Sequence, residues 1–424
     1  MTDSQPAGLL SPQAVLAAYQ VLKKVVKHTP LEYNPYLSQK YDCRVYLKRE
    51  DLQEVRSFKI RGAYYAIMET PADQRQKGVV CASAGNHAQG VAWTSHQLNI
   101  PSVIFMPTTT PKQKVDQVKF FGQENAKIQL VGDTFDAAQA AAFEYCDEHH
   151  LTFIPPFDDL RTMAGQGSLA VEIFNDAKDE DLDVDYLLTA VGGGGLISGV
   201  GAYTKSVSPQ TKLIGVEPAG AASMDLAFKE SHPTTLESVD KFVDGAAVKT
   251  VGQLTYQNAK QTVDQLVAVP EGQVCSSILE LYSKCAIVAE PAGALSVAAL
   301  EGLKDELQGK TVVCVVSGGN NDIDRMQEIK ERSLIYEGYQ LYFLVNFPQR
   351  AGALKYVVNQ VLQDGDDINR FEYTKKMNRA KGPVLIGVQL GCLENKAPLL
   401  QNLAEFDPHY INLEENHSLY EMLV

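Results

Sequence analysis

The chain has 424 residues, of which 45% are hydrophobic and 21% charged, with a formal net charge of −14. That length gives two or three domains with cores of ordinary size, and the composition excludes a disordered chain. The acidic balance and the lack of any long Lys/Arg run exclude a phosphate-tracking surface, so neither nucleic acid nor an anionic membrane is an expected partner.

The opening MTDSQPAGLL carries no basic n-region and no long apolar stretch, and nowhere do about eighteen apolar residues run together, which reads as a cytoplasmic protein. The seven cysteines (43, 81, 146, 275, 285, 314 and 392) are dispersed and form no C-x-x-C pair. They read as reduced thiols packed like small hydrophobes, and no metal site is expected.

In chain order, a helix is expected over about Pro12 to Val26, followed by LKREDLQ at 47–53 and VRSFKIRGA at 55–63. The latter sets Lys59 between Phe58 and Ile60, with Arg61 two residues on. An amine flanked by apolar groups loses hydration, and its pKa falls. Arg61 reads as a solvated or ion-paired helix residue. From about residue 78, β-rich runs alternate with helical patterns: GVVCAS, a helix from Asn86 to Leu98, SVIFMP, a helix from Lys112 to Phe121, KIQLVG, and a helix from Thr134 to Glu148. TFIPP, DYLLTAV, KLIGVE, LVAVP and TVVCVVS continue the series. This alternation specifies parallel sheets covered by helices. We expect two lobes, a smaller one over about 45–150 and a larger one over about 1–44 and 151–334.

Beyond about residue 334 the texture changes. QLYFLVNF alternates, with Leu341, Phe343, Val345 and Phe347 on one face, and Leu354 to Leu362 follows helical spacing. INRFEYTKK and PVLIGVQL read as strands, Pro398 to Phe406 as a helix and the last residues as a final strand. That βαββαβ order is ferredoxin-like and gives a second domain over 335–424.

Three loops carry chemistry. GGGG at 192–195 lies between a strand and a helix, where glycines admit close backbone approach and the helix start offers free N–H groups to an anion. Its rivals are a flexible turn and a dinucleotide loop ending on Glu217, but the G-x-G-x-x-G register fails at Ile197 or Ser198. SAGNHAQG at 83–90 places the Asn86 amide at a second anion-friendly turn, although alone it is equally an ordinary helix start. SGGN at 317–320 puts Ser317 at the C-terminal end of a strand, the end that faces the ligand crevice in open α/β sheets. One phosphate cradle, one lysine, one amide donor and one hydroxyl match the groups of pyridoxal 5'-phosphate.

SFKIRGAY, SAGNHAQG, GGGGL and SGGN, in this order and spacing, resemble the fold type II (tryptophan-synthase-β-like) pyridoxal phosphate enzymes, and among them the biosynthetic threonine dehydratases. The likeness covers nearly the whole chain, with residues 335–424 resembling a single ACT-like regulatory domain. It implies that Lys59 carries the cofactor, with Phe58 beside it, and that Asn86 bonds the ring oxygen. Gly192, Gly193, Gly194, Gly195 and Leu196 would wrap the phosphate, Ser317 would bond the pyridine nitrogen, and Ser83, Ala84, Gly85 and His87 would hold the substrate carboxylate.

The implied reaction converts L-threonine to 2-oxobutanoate and ammonia, the first step of isoleucine biosynthesis, with L-serine as a further substrate. Isoleucine and valine are the implied effectors, near Arg350 and Gly352 in FPQRAGAL, and the implied assembly is a homotetramer. The neighbouring activities are those of serine dehydratase, cysteine synthase, threonine synthase and serine racemase. Against racemisation stands Ala84, where racemases resembling this chain have a serine; their metal pattern finds Glu217 and Ala221 matched but Ser223 in place of an acid. Outside the family, a nicotinamide oxidoreductase fails on the glycine register, and an amino-acid sensor leaves Lys59 unexplained.

Overall fold

The computed structural model describes residues 8–374 and 380–424, so the N-terminal seven residues lie outside it. Two compact units part between Ile323 and Asp324. The first contains two sheets. The larger is ordered β1 (Leu31–Tyr33), β2 (Arg44–Arg49), β10 (Thr311–Val316), β7 (Tyr186–Ala190), β8 (Lys212–Pro218) and β9 (Gln265–Val269). Only β1 runs antiparallel to its neighbour. The smaller is wholly parallel, ordered β5 (Ala126–Leu130), β4 (Ser102–Met106), β3 (Val79–Ala82) and β6 (Thr152–Phe153). Strands covered on both faces read as continuous apolar runs, and TVVCVV of β10 is buried at every position.

Several helices begin at side chains that accept from their free N–H groups. Ser11 accepts from the Ala14 N–H ahead of Pro12, Thr134 accepts from Ala137, and Asp159 accepts from Arg161 and Thr162 at the start of the Leu160–Asp179 helix. The Asn86–Leu98 helix ends on left-handed Asn99. The opening helix, Pro12–Leu22, shares its core with Met163, Leu169 and Ile197 of the larger lobe, as its apolar spacing implies.

Two lobe boundaries need correction. Residues 45–49 are expected in the smaller lobe, but β2 pairs with β10 from Arg44–Thr311 to Arg49–Val316 and belongs to the larger sheet. TFIPP was expected in the larger lobe, yet Thr152 and Phe153 pair with Val79 and Val80 of the smaller sheet.

The second unit opens with a Met326–Tyr336 helix, so the units part earlier in the chain than the expected 334/335 boundary. Its sheet is ordered β12 (Asp367–Tyr373), β13 (Lys381–Gln389), β11 (Gln340–Pro348) and β14 (Ile411–Asn412), the ferredoxin-like arrangement. Leu341, Phe343, Val345 and Phe347 all enter its core. Of the strand expected over INRFEYTKK, Lys375 and Lys376 lie outside the described residues. The final strand is a further correction: β14 is two residues long, and the chain then turns into a His417–Leu423 helix whose start Asn416 caps.

Candidate active site

Lys59 is the first residue of the Lys59–Met68 helix. The segment before it is tied to the end of β10: Phe58 N–H donates to the Ser317 carbonyl at 3.1 Å, Gly319 N–H to the Arg56 carbonyl at 2.9 Å, and Ser57 bridges Gly318. Three backbone contacts thus bring two motifs more than 250 residues apart side by side. The Lys59 ammonium donates to the Pro156 carbonyl at 2.8 Å and sits 5.3 Å from the centre of the Phe58 ring. Desolvation lowers its pKa to about 8, partly offset by the Glu290 carboxylate. Ile60 is buried in the core of the larger lobe.

Arg61 is ion-paired, as expected, but not solvated: it is fully buried. Its guanidinium donates to both oxygens of Glu50, each at 2.8 Å, and to those of Glu172 at 2.7 and 2.8 Å. Glu172 also pairs with buried Lys48 at 2.9 Å, and Glu50 accepts from the Thr29 hydroxyl at 2.6 Å. This network sits beneath the first turn of the helix that carries Lys59.

The glycine loop follows β7 and opens the Gly195–Val207 helix. Gly194 lies at φ +89°, a left-handed conformation that favours glycine. A Cβ at Gly192 would stand 2.9 Å from the Ala246 backbone, one at Gly193 2.3 Å from the Phe157 ring, one at Gly194 2.5 Å from Met224 and one at Gly195 3.0 Å from Phe157. The loop is therefore a tight backbone cradle at a helix N-terminus, which suits a phosphate. The Leu196 side chain belongs to the core, so only its backbone is available to an anion.

Ser317 ends β10 buried, with its hydroxyl 3.2 Å from the Ala292 carbonyl. The Ser83–Asn86 turn follows β3 and is half-buried. Gly85 N–H bonds the Ser83 hydroxyl at 3.2 Å, and a side chain at Gly85 would meet open space. Ala84 packs against the core of the smaller lobe. His87 is buried, with Nε2 2.9 Å from the Ile154 carbonyl; burial and the nearby Lys59 charge push its pKa down to about 3, so the ring is neutral. Nε2 then carries the proton and donates it to that carbonyl.

Sequence reasoning missed two contributors. The PPFDD stretch at 155–159 supplies the Pro156 carbonyl to Lys59 and the Phe157 ring to the glycine loop, while Asp158 accepts from the N–H groups of Leu254 and Thr255. Glu290, 6% exposed, accepts from the Asn86 amide at 2.6 Å. A Glu-Pro pair at a helix start was its only local signal, because its partner lies 204 residues away.

Glu217, the acid of the expected incomplete metal pattern, accepts from the N–H groups of Met224 and Asp225 at 2.7 and 2.8 Å, capping the Ser223–Glu230 helix. Arg350 is exposed, and Gly352 lies at φ +89° with open space around it, so backbone conformation rather than close approach calls for glycine there. Among the described residues no helix is long and apolar enough to cross a membrane.

The residues present fit pyridoxal phosphate: the lysine of lowered pKa lies beside the strand-end serine through the Phe58–Ser317 backbone bond, the Asn86 amide reaches the same loop through Glu290, and Pro156 and Phe157 join the lysine to the backbone cradle of the glycine loop. Residues 22–318 match the pyridoxal-phosphate dependent enzyme family, and residues 331–423 match the C-terminal regulatory domain of threonine dehydratase. The biosynthetic L-threonine dehydratase of Halalkalibacterium halodurans is 56% identical over 98% of this chain and 100% of its own length. That of Bacillus subtilis is 56% identical over 98% of each. Among solved structures, the processed form of threonine deaminase isoform 2 from Solanum lycopersicum is 38% identical with a TM-score of 0.72, covering 76% of this chain and 93% of its own. Maize serine racemase is 26% identical with a TM-score of 0.71, covering 78% and 99%.

Proposed function

The chain belongs to the pyridoxal-phosphate dependent enzymes and, within them, to the threonine dehydratases with a C-terminal regulatory domain, and we propose that Lys59 carries the cofactor and takes the Cα proton of the substrate. The enzyme deaminates L-threonine to 2-oxobutanoate and ammonia. The bound cofactor supplies an electron sink for the charge left at Cα.

The protein's own groups do the rest. Gly192 to Leu196 would hold the phosphate with backbone N–H groups, Ser317 would bond the ring nitrogen, and Asn86 would donate to the ring oxygen. The Ser83–His87 turn takes the substrate carboxylate on the free N–H groups of a helix start, where the dipole favours negative charge. Lys59, with its pKa lowered to about 8, is neutral in an appreciable fraction near pH 7 and can take the Cα proton. The Pro156 carbonyl accepts from the amine and holds it in the cleft.

The observation that supports this reading is the set of contacts through Phe58, Glu290, Pro156 and Phe157 that ties the segments of Lys59, Asn86, the glycine loop and Ser317 together. Residues 335–424 act as the regulatory domain, with isoleucine as inhibitor opposed by valine near Arg350 and Gly352. The enzyme works in the cytoplasm as a homotetramer and accepts L-serine as a second substrate. Replacing Lys59 by alanine tests the core of this reading: threonine turnover falls by several orders of magnitude while the fold persists. Turnover near the wild-type rate would remove Lys59 from the role.

A further inference from the structure

Glu290 has no role in the reaction proposed above, yet it is built into the site. Its backbone N–H donates to the Gly318 carbonyl at 3.1 Å, fixing it against the loop that bears Ser317. A Cβ at Gly318 would stand 2.2 Å from Glu290 Oε1, so the glycine makes room for this carboxylate. Oε1 accepts from Asn86 Nδ2 at 2.6 Å. On the other side, Asn320 Nδ2 donates to Asn86 Oδ1 at 2.7 Å and to the Val55 carbonyl at 2.8 Å.

A side-chain amide has one carbonyl and two N–H groups. Here the Asn86 carbonyl is taken by Asn320 and one N–H by Glu290, which leaves one N–H. The arrangement reads in one sense only. Turning the Asn86 amide over would set its oxygen against the carboxylate and its N–H groups against those of Asn320, two mismatches in a half-buried site.

We propose that Glu290 is a positioning residue: its carboxylate locks the Asn86 amide so that the remaining N–H serves as the donor to the ring oxygen of the cofactor. This rests on the reading of Asn86 given above. The charged groups facing Glu290 are Lys59 and Lys114, which favour its ionised form, and Asp244, which opposes it. Burial outweighs the cations and raises its pKa to about 7. A buried carboxylate kept at such a cost in solvation calls for partners, and the Asn86 amide and the Asn320 backbone N–H supply them.

The test is equilibrium binding of pyridoxal 5'-phosphate to the cofactor-free protein, for Asn86→Ala, Glu290→Ala and the double variant, with Glu290→Gln and Glu290→Asp beside them. A charge-assisted hydrogen bond that orients the donor corresponds to a loss of roughly 10- to 100-fold in affinity for Glu290→Ala. The double variant should bind no more weakly than Asn86→Ala alone, since one effect passes through the other. Glu290→Gln keeps an acceptor and should retain affinity to within about 3-fold, whereas Glu290→Asp withdraws the acceptor and should not. Losses that multiply in the double variant, or Glu290→Gln as weak as Glu290→Ala, would overturn the positioning role while leaving Asn86 in place. If Asn86→Ala itself binds like the wild type, the underlying reading of Asn86 fails, and the proposal with it. Should Glu290→Ala not fold, the Gln and Asp pair decides alone.

Discussion

Replacing Arg61 by methionine should destabilise the larger lobe by about 3–5 kcal/mol. The magnitude follows from what each neighbour keeps. Glu172 retains Lys48 at 2.9 Å, but Glu50 loses its one ion-pair partner among the described residues and keeps only the Thr29 hydroxyl at 2.6 Å. The side chains of Glu50 and Arg61 are both fully buried, so water cannot replace the lost contacts. Most of the cost therefore belongs to the stranded Glu50 charge rather than to lost packing. Adding Glu50→Gln to Arg61→Met removes that charge and should recover more than half of the loss. Urea denaturation followed by far-UV circular dichroism reads both variants against the wild type. A single-variant cost below about 1 kcal/mol would refute the burial argument, and a double variant as unstable as the single one would refute the stranded-charge assignment.

Further outcomes follow from the same structure. His87 bears a pKa pushed from 6.5 to about 3, so the folded state binds fewer protons than the unfolded one as pH falls below 6.5, and stability is lost through that window. At pH 4 this term is on the order of 3 kcal/mol, and His87→Gln, which does not titrate, should lose correspondingly less between pH 7 and pH 4 in urea titrations. Gly193→Val forces a side chain into the Phe157 ring, 2.3 Å from the Cβ position; cofactor affinity, measured by titration of the cofactor-free protein, should fall at least about 10-fold. Isoleucine should shift the threonine saturation curve by about 5- to 150-fold, a shift lost on truncation after about residue 334; identical curves with and without isoleucine would reassign the second unit to assembly. Chiral analysis should find no D-serine formed from L-serine, because Ala84 has no proton to exchange.

The fold was legible wherever one segment supplied its own signal. The Asn86–Leu98 helix was bounded by an asparagine start and a left-handed asparagine stop, and β7, β8 and β10 were apolar runs closed by turn residues. Assignments failed where pairing partners were remote. Nothing in RVYLKR says that it joins β10 rather than the strand nearest to it in sequence, and nothing in TF says that it extends the smaller sheet. The last residues read as a strand that completes a βαββαβ order, but the local signal there, Asn416 capping a helix, prevails. Within the candidate site, residues on glycine-rich loops at strand ends could be found because their composition is unusual. Glu290 and Pro156 act through contacts with Asn86 and Lys59 that lie more than 90 residues away in sequence, Phe157 meets Gly193 from a different loop, and Pro156 lends only a backbone carbonyl; composition is silent on all three.

The most direct measurement is the mass of the peptide that bears the cofactor. The purified protein loaded with pyridoxal phosphate is reduced with borohydride, digested and mapped. The account predicts the pyridoxyl group on Lys59, within VRSFKIRGA, and none on protein treated after the Lys59→Ala change. A label on another lysine, or an unlabelled Lys59 in active enzyme, would contradict it.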